Sequence, residues 1–169
     1  MRAMTLELPD ADATAALGAA LARTFPGASG SCVVVYLRGD LGAGKTACVR
    51  AWLEALGVAR PIRSPTYTLV ETYECGATTF LHVDLYRLNS GADLADLGLR
   101  DYFRPGHAIL VEWPERAGDS LPAADLTVEM DFAPRGRRVR LSSAGERGDA
   151  WLSMLVSDDR ITSYLFNLT

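Results

Sequence analysis

Residues 39–46 read Gly-Asp-Leu-Gly-Ala-Gly-Lys-Thr and satisfy the pattern G-x-x-x-x-G-K-[ST]. Gly39, Gly42 and Gly44 let successive backbone N–H groups turn inward with no Cβ in the way. A helix opening near Lys45 would add its positive dipole end, so the segment becomes an anion cradle. Lys45 has the length to reach β- and γ-phosphate oxygens, and Thr46 offers a hydroxyl oxygen to a magnesium ion bridging them. The plainer reading is a glycine turn whose lysine lies in solvent. A strand-like run before the glycines and a helical run after them favour the cradle.

Phosphoryl chemistry at such a loop needs a carboxylate at the end of a neighbouring strand, to complete a metal shell or orient water. Two residues end apolar runs: Asp84 in FLHVD and Glu112 in AILVE. Their positions alone leave the ranking between them open. Trp113 follows Glu112 and is either a core aromatic or a residue packed near a bound nucleotide. Residues 64–68, SPTYT, place Ser64 and Thr66 around Pro65 in the connection after the loop helix, and Thr66 is the natural γ-phosphate sensor. A Ser-Pro turn leading into a strand is the competing reading. Arg135, Arg137, Arg138 and Arg140 form a basic cluster that reads as a solvated strand face or a phosphate contact. His82 and His107 have no companion cysteines at ligand spacing and read as strand residues.

Particular elements must carry these side chains. TLELP at residues 5–9 predicts a strand, and DADATAALGAALARTF a helix capped by Asp10 or Asp12. PGASGS breaks the pattern before CVVVYL, a continuous run typical of a central strand buried on both faces. ACVRAWLEALG predicts a helix stopping at Gly57. SPTYTLVETYE and TTFLHVDLYRL predict a hairpin across Cys75, Gly76 and Ala77, which makes the sheet mixed. SGADLADLGL predicts a short helix with Ser90 as cap, and HAILVEW a second buried strand. DLTVEMDF and RRVRLSS alternate around APRG as a half-exposed hairpin does. The stretch from Gly145 onward predicts one helix and a loose end.

Composition bounds the reading. At about 100–200 residues per domain, 169 residues make one unit, and 49% hydrophobic with 22% charged residues is the profile of a folded chain. Lys and Arg number 17 against 21 Asp and Glu, a net charge of −4, so no global positive field holds a nucleic-acid backbone. Cys32, Cys48 and Cys75 have neither disulfide-framework nor zinc-knuckle spacing, which suits a reducing compartment. No run approaches the about 20 apolar residues that cross a bilayer, and the expectation is a cytoplasmic protein with no membrane association.

Taken in order, GDLGAGKT, SPTYTLVE, DLYRL, LGLRDYF and ILVEWPER resemble the TsaE family, also called YjeE, of bacterial P-loop ATPases, over roughly residues 5–142. GKT alone would mark only the superfamily. The resemblance implies an α/β P-loop NTPase fold with a central mixed β-sheet flanked by helices. Residues 1–156 would form one ATPase domain and 157–169 a loosely ordered tail. It implies an ATPase, using ATP and Mg²⁺, that supports synthesis of N6-threonylcarbamoyladenosine at position 37 of tRNAs reading ANN codons. The family acts with the TsaB and TsaD proteins, does not itself transfer the threonylcarbamoyl group, and touches tRNA indirectly or weakly.

By the same resemblance Gly42, Ala43, Gly44, Lys45 and Thr46 hold the phosphates, with Gly39 and Ala47 flanking them. Thr46 and Glu112 take Mg²⁺, Asp84 lies at the nucleotide and supports hydrolysis, and Ser64 to Thr66 form a switch-like segment. Asp10 and Ala11 fall near the base, Gly136 counts among the nucleotide-binding residues, and with Arg137 it matches a late glycine-arginine pair of the family. Ala47 departs from the family, where a second threonine is frequent, and the tail ITSYLFNLT matches nothing in the family pattern.

The expected mechanism is in-line attack of water on the γ-phosphate, slow in the isolated chain because no residue plainly supplies an arginine finger. Two other readings use the same loop. One is a small-molecule kinase with Arg87, Arg100 and Arg104 as phosphate and acceptor contacts; the other is a non-catalytic module gated by nucleotide. A GTPase is disfavoured, since Asn89 and Asn167 are the only asparagines and no N-K-x-D segment exists.

Overall fold

A computed structural model describes residues 2–88 and 97–168. The run Cys32–Leu37 forms β2 (Val33–Arg38), flanked by β5 (His107–Glu112) and β6 (Leu126–Phe132), both parallel to it. That double flanking is why the run is apolar without alternation. β4 (Thr78–Asp84) lies parallel to β5, and β3 (Val70–Cys75) pairs back on β4 as the expected hairpin. On the other side β7 (Arg137–Ser143) returns antiparallel to β6, followed by β1 (Ala3–Leu8) and β8 (Leu165–Leu168). Among the described residues eight strands run β3-β4-β5-β2-β6-β7-β1-β8 in one mixed sheet.

Helix α1 (Ala11–Arg23) is capped by Asp10, whose carboxylate accepts from the Ala13 N–H at 2.8 Å, and α2 (Lys45–Ala55) opens directly from the glycine loop. Together with α3 (Gly145–Val156) they cover one face. Phe25, Trp52, Phe80 and Trp151 interlock there, with Trp52 and Trp151 in edge contact at 5.5 Å between centroids. The opposite face buries Leu81, Val83, Ile109 and Val111 under Leu85, Leu88, Leu99 and Ala117, which come from the segments after β4 and β5. Strand side chains alternate faces, so Phe80, His82 and Asp84 share the helix-covered face with Ala108, Leu110 and Glu112.

Two expectations change, and a third falls mostly outside the described residues. The strand expected from Ser64 begins at Val70, because residues 65–68 form a turn closed by the Leu69 N–H on the Pro65 carbonyl at 2.7 Å. The helix expected from Ser90 falls mostly outside the described residues, and Leu99 opens a 3-10 turn ending at Tyr102. Residues 157–168, expected to be a loosely ordered tail, carry α4 (Asp159–Thr162) and the edge strand β8. The reason is the open edge of β1, whose unpaired N–H and C=O groups take up another strand, while Ile161 is buried in the core beneath it. Among the described residues no helix is long and apolar enough to cross a membrane, and Cys32, Cys48 and Cys75 are free thiols.

Candidate nucleotide site

The loop between β2 and α2 is shaped by positive φ at Gly39, Gly42 and Gly44. Gly39 is required for a second reason: a Cβ there would run into the carbonyl oxygen of Met130 on β6. The loop is thus pressed onto the sheet, with the α2 N-terminus aimed over the C-terminal ends of β4 and β5. Ligands of open α/β sheets sit at such strand ends.

Parallel pairing places Asp84 opposite Glu112. Both carboxylates are almost fully buried, at 5% and 2% exposure, and lie on the helix-covered face. They differ in partners. The Thr46 hydroxyl meets both Glu112 oxygens, at 2.8 Å from Oε1 and 2.9 Å from Oε2. Asp84 accepts from the Tyr86 N–H at 2.9 Å through Oδ1 and from the Thr66 hydroxyl at 3.2 Å through Oδ2. Ser64 Oγ lies 2.7 Å from Thr66 Oγ1, which ties the switch-like segment to the strand end.

Lys45 is 4% exposed. Its Nζ donates to the Gly39 carbonyl at 2.5 Å and the Asp40 carbonyl at 2.9 Å, and lies 3.9 Å from the Trp113 ring centroid. Burial draws its pKa below the ordinary lysine range, opposed by the negative charges of Glu112, Glu115, Asp84 and Asp40. Trp113 itself has φ 59° and ψ 47°, a left-handed backbone uncommon for a bulky residue. The turn aims the indole into the hollow, where it packs against Tyr86 at 5.0 Å.

One hollow is lined by Gly42, Gly44, Lys45, Thr46, Ala47, Thr66, Asp84 and Glu112, together with Leu41, Tyr86, Arg87 and Trp113. A second, sharing Gly42, Gly44 and Ala47, adds Asp10, Ala11, Thr14 and Arg137. The two together bring most of the expected residues around a single loop. Ala43 is buried beneath it. Gly136 lines neither hollow; its φ of 75° and its close approach to the backbone of Leu8 and Pro9 give it a packing task in the β6–β7 turn. Arg100, Arg104 and His107 also lie outside both, and His107 sits at the opposite end of β5 from Glu112.

Two contacts escaped the reading of the sequence. Arg137 donates Nε–H to the Ala43 carbonyl at 2.9 Å and an Nη2–H to the Gly42 carbonyl at 3.3 Å, with its guanidinium 4.9 Å from the Phe132 ring. The signal lay in strand phase: residue 137 is in step with the buried Val139 and Leu141, whereas Arg138 is out of step and pairs with Glu7 at 2.8 Å. His82, two residues before Asp84 and so on its face, brings Nε2 to 2.7 Å from Glu112 Oε1.

Comparison with known proteins identifies the family. The family model described as "Threonylcarbamoyl adenosine biosynthesis protein TsaE" matches residues 8–139. The tRNA threonylcarbamoyladenosine biosynthesis protein TsaE of Haemophilus influenzae is 43% identical over 109 residues, covering 64% of this chain and 69% of that one. Its namesake in Bacillus subtilis is 34% identical over 131 residues, covering 77% and 82%. The crystal structure of Bacillus subtilis YdiB superposes with a TM-score of 0.73 at 26% identity, covering 94% of this chain and 97% of that one. The family-model match over residues 8–139, with relatives 43% and 34% identical, makes this chain a member of the TsaE family.

Proposed function

We propose that this chain binds ATP with Mg²⁺ in the cradle of residues 39–47 and hydrolyses it in support of N6-threonylcarbamoyladenosine formation on tRNA, together with TsaB and TsaD. One observation carries the chemistry: Thr46 and Glu112, far apart in sequence, bring a hydroxyl and a carboxylate within 2.8 Å at the head of α2. These hard oxygen donors suit magnesium, which typically binds through one or two carboxylates plus substrate phosphates.

Bound there, the cation would neutralise charge on the phosphate oxygens. Lys45 would exchange the Gly39 and Asp40 carbonyls for β- and γ-phosphate oxygens. Asp84, held by the Tyr86 N–H and the Thr66 hydroxyl, would position water, and Thr66 links that carboxylate to the segment that would sense the γ-phosphate. Arg137 is committed to loop carbonyls and Arg87 stacks on Tyr67 at 4.4 Å, so partner proteins are expected to complete the site. The kinase alternative loses two of its acceptor contacts, because Arg100 and Arg104 lie outside the hollow. A net charge of −4 supports contact with tRNA through partners rather than alone.

Steady-state ATP hydrolysis by the chain alone and with TsaB and TsaD, alongside reconstituted tRNA modification, tests the proposal. Expected are slow turnover alone, stimulation by the partners, and loss of both turnover and modification in Lys45→Ala. Full turnover by the isolated chain would remove the partner dependence, and unimpaired modification by Lys45→Ala would overturn the role of hydrolysis.

A further inference from the structure

His82 is fully buried on β4, yet it carries two polar nitrogens into an apolar layer. Nε2 is 2.7 Å from Glu112 Oε1, and Nδ1 has no hydrogen-bond partner among the described residues. In register His82 stands opposite Leu110, so the ring reaches along β5 to the carboxylate two residues further on. Phe80, two residues earlier on the same face, is fully apolar and equally buried. An orphaned buried nitrogen costs free energy that an apolar ring of similar size would avoid. What the imidazole gains in return is one N–H donated to Glu112.

Among the described residues the other hydrogen bonds to the Glu112 carboxylate both come from the Thr46 hydroxyl. If Thr46 turns its oxygen toward a cation, that hydroxyl stops fixing the carboxylate, whereas the bond from His82 does not pass through Thr46. We propose that His82 is a positioning residue: by donating Nε2–H to Oε1 it locks the rotation of the Glu112 carboxylate and keeps Oε2 turned toward the Thr46 hydroxyl. The inference rests on the reading of Thr46 and Glu112 as the magnesium oxygens. Hydrogen-bond partners of metal-binding groups commonly govern metal affinity in this way, with losses of about 10- to 100-fold on removal.

The test is Mn²⁺ titration of protein saturated with ADP, following free Mn²⁺ by its electron spin resonance signal. It compares wild type, Glu112→Gln, His82→Gln and His82→Asn. A Gln amide nitrogen superposes on the Nε2 position and keeps the donor; an Asn amide reaches only the Nδ1 position. ADP binding in chelator, without metal, reports on the fold of each variant.

The expected result is Mn²⁺ affinity about 10- to 100-fold weaker in His82→Asn and Glu112→Gln, recovery to within about threefold of wild type in His82→Gln, and metal-free ADP binding unchanged throughout. Wild-type affinity in His82→Asn alongside weakened Glu112→Gln overturns the role of His82 while leaving Glu112 as a ligand. Wild-type affinity in Glu112→Gln overturns the underlying metal reading and this inference with it. Equal losses in His82→Asn and His82→Gln, or a parallel loss of metal-free ADP binding, would show that the ring serves packing alone.

Discussion

The Lys45 ammonium lies 3.9 Å from the centroid of the Trp113 indole, on a residue whose left-handed backbone turns the ring into the nucleotide hollow. The contact is a cation–π pair, worth about 0.5–2 kcal/mol depending on desolvation. Engaging phosphate requires Nζ to give up its loop carbonyls, which changes its position relative to the ring.

Trp113 is therefore expected to report on nucleotide. Titrating ADP or ATP is expected to change tryptophan emission in wild type and in Trp52→Phe, whose ring is buried away from the hollow, but not in Trp113→Phe. An unchanged response in Trp113→Phe would place the reporter elsewhere.

Arg137 joins the β6–β7 hairpin to the outer carbonyls of the loop and so holds the inner N–H groups in place. Arg137→Ala is expected to weaken ADP binding by about tenfold, near 1.4 kcal/mol, in calorimetry. Arg137→Lys should recover little, since a single ammonium cannot reproduce the planar fork. Arg138→Ala, whose partner is the exposed Glu7, serves as control and should leave affinity unchanged.

Thr66 touches Asp84 rather than the loop, so its hydroxyl is expected to matter for the triphosphate alone. Thr66→Val should lower ATP affinity by about tenfold, the scale of one hydrogen bond to a charged group, and leave ADP affinity as in wild type. An equal loss for both nucleotides would make Thr66 a structural residue of the turn.

The Cys32 thiol is pushed up from its ordinary 9.0 to about 11, chiefly by burial and then by Asp125, against the opposing charge of Arg147. The folded chain thus holds this proton more tightly than the unfolded chain. Its stabilising contribution is fully present below about pH 9 and is lost as pH rises toward 11. Urea midpoints measured at pH 8 and pH 10.5 should fall more steeply in wild type than in Cys32→Ala, and equal slopes would contradict the assignment.

Much of this protein was determined by its sequence alone. The glycine loop announces itself because phosphate binding needs small residues, a lysine and a hydroxyl at fixed spacing, all local requirements. β2, α1 and α2 follow from local periodicity, and Asp84 and Glu112 from their positions at the ends of apolar runs. Tertiary structure decided what depends on register between distant strands. Parallel pairing of β4 with β5 sets Asp84 beside Glu112 but gives Thr46 to one and Thr66 to the other. The same pairing brings His82 to Glu112, and the β6–β7 phase sends Arg137 to the loop while Arg138 stays outside. β8 likewise forms because β1 offers an open edge, a property of the assembled sheet rather than of the tail. Hydrogen bonds act over about 3 Å, so their partners exist only once long-range pairing has set neighbours side by side.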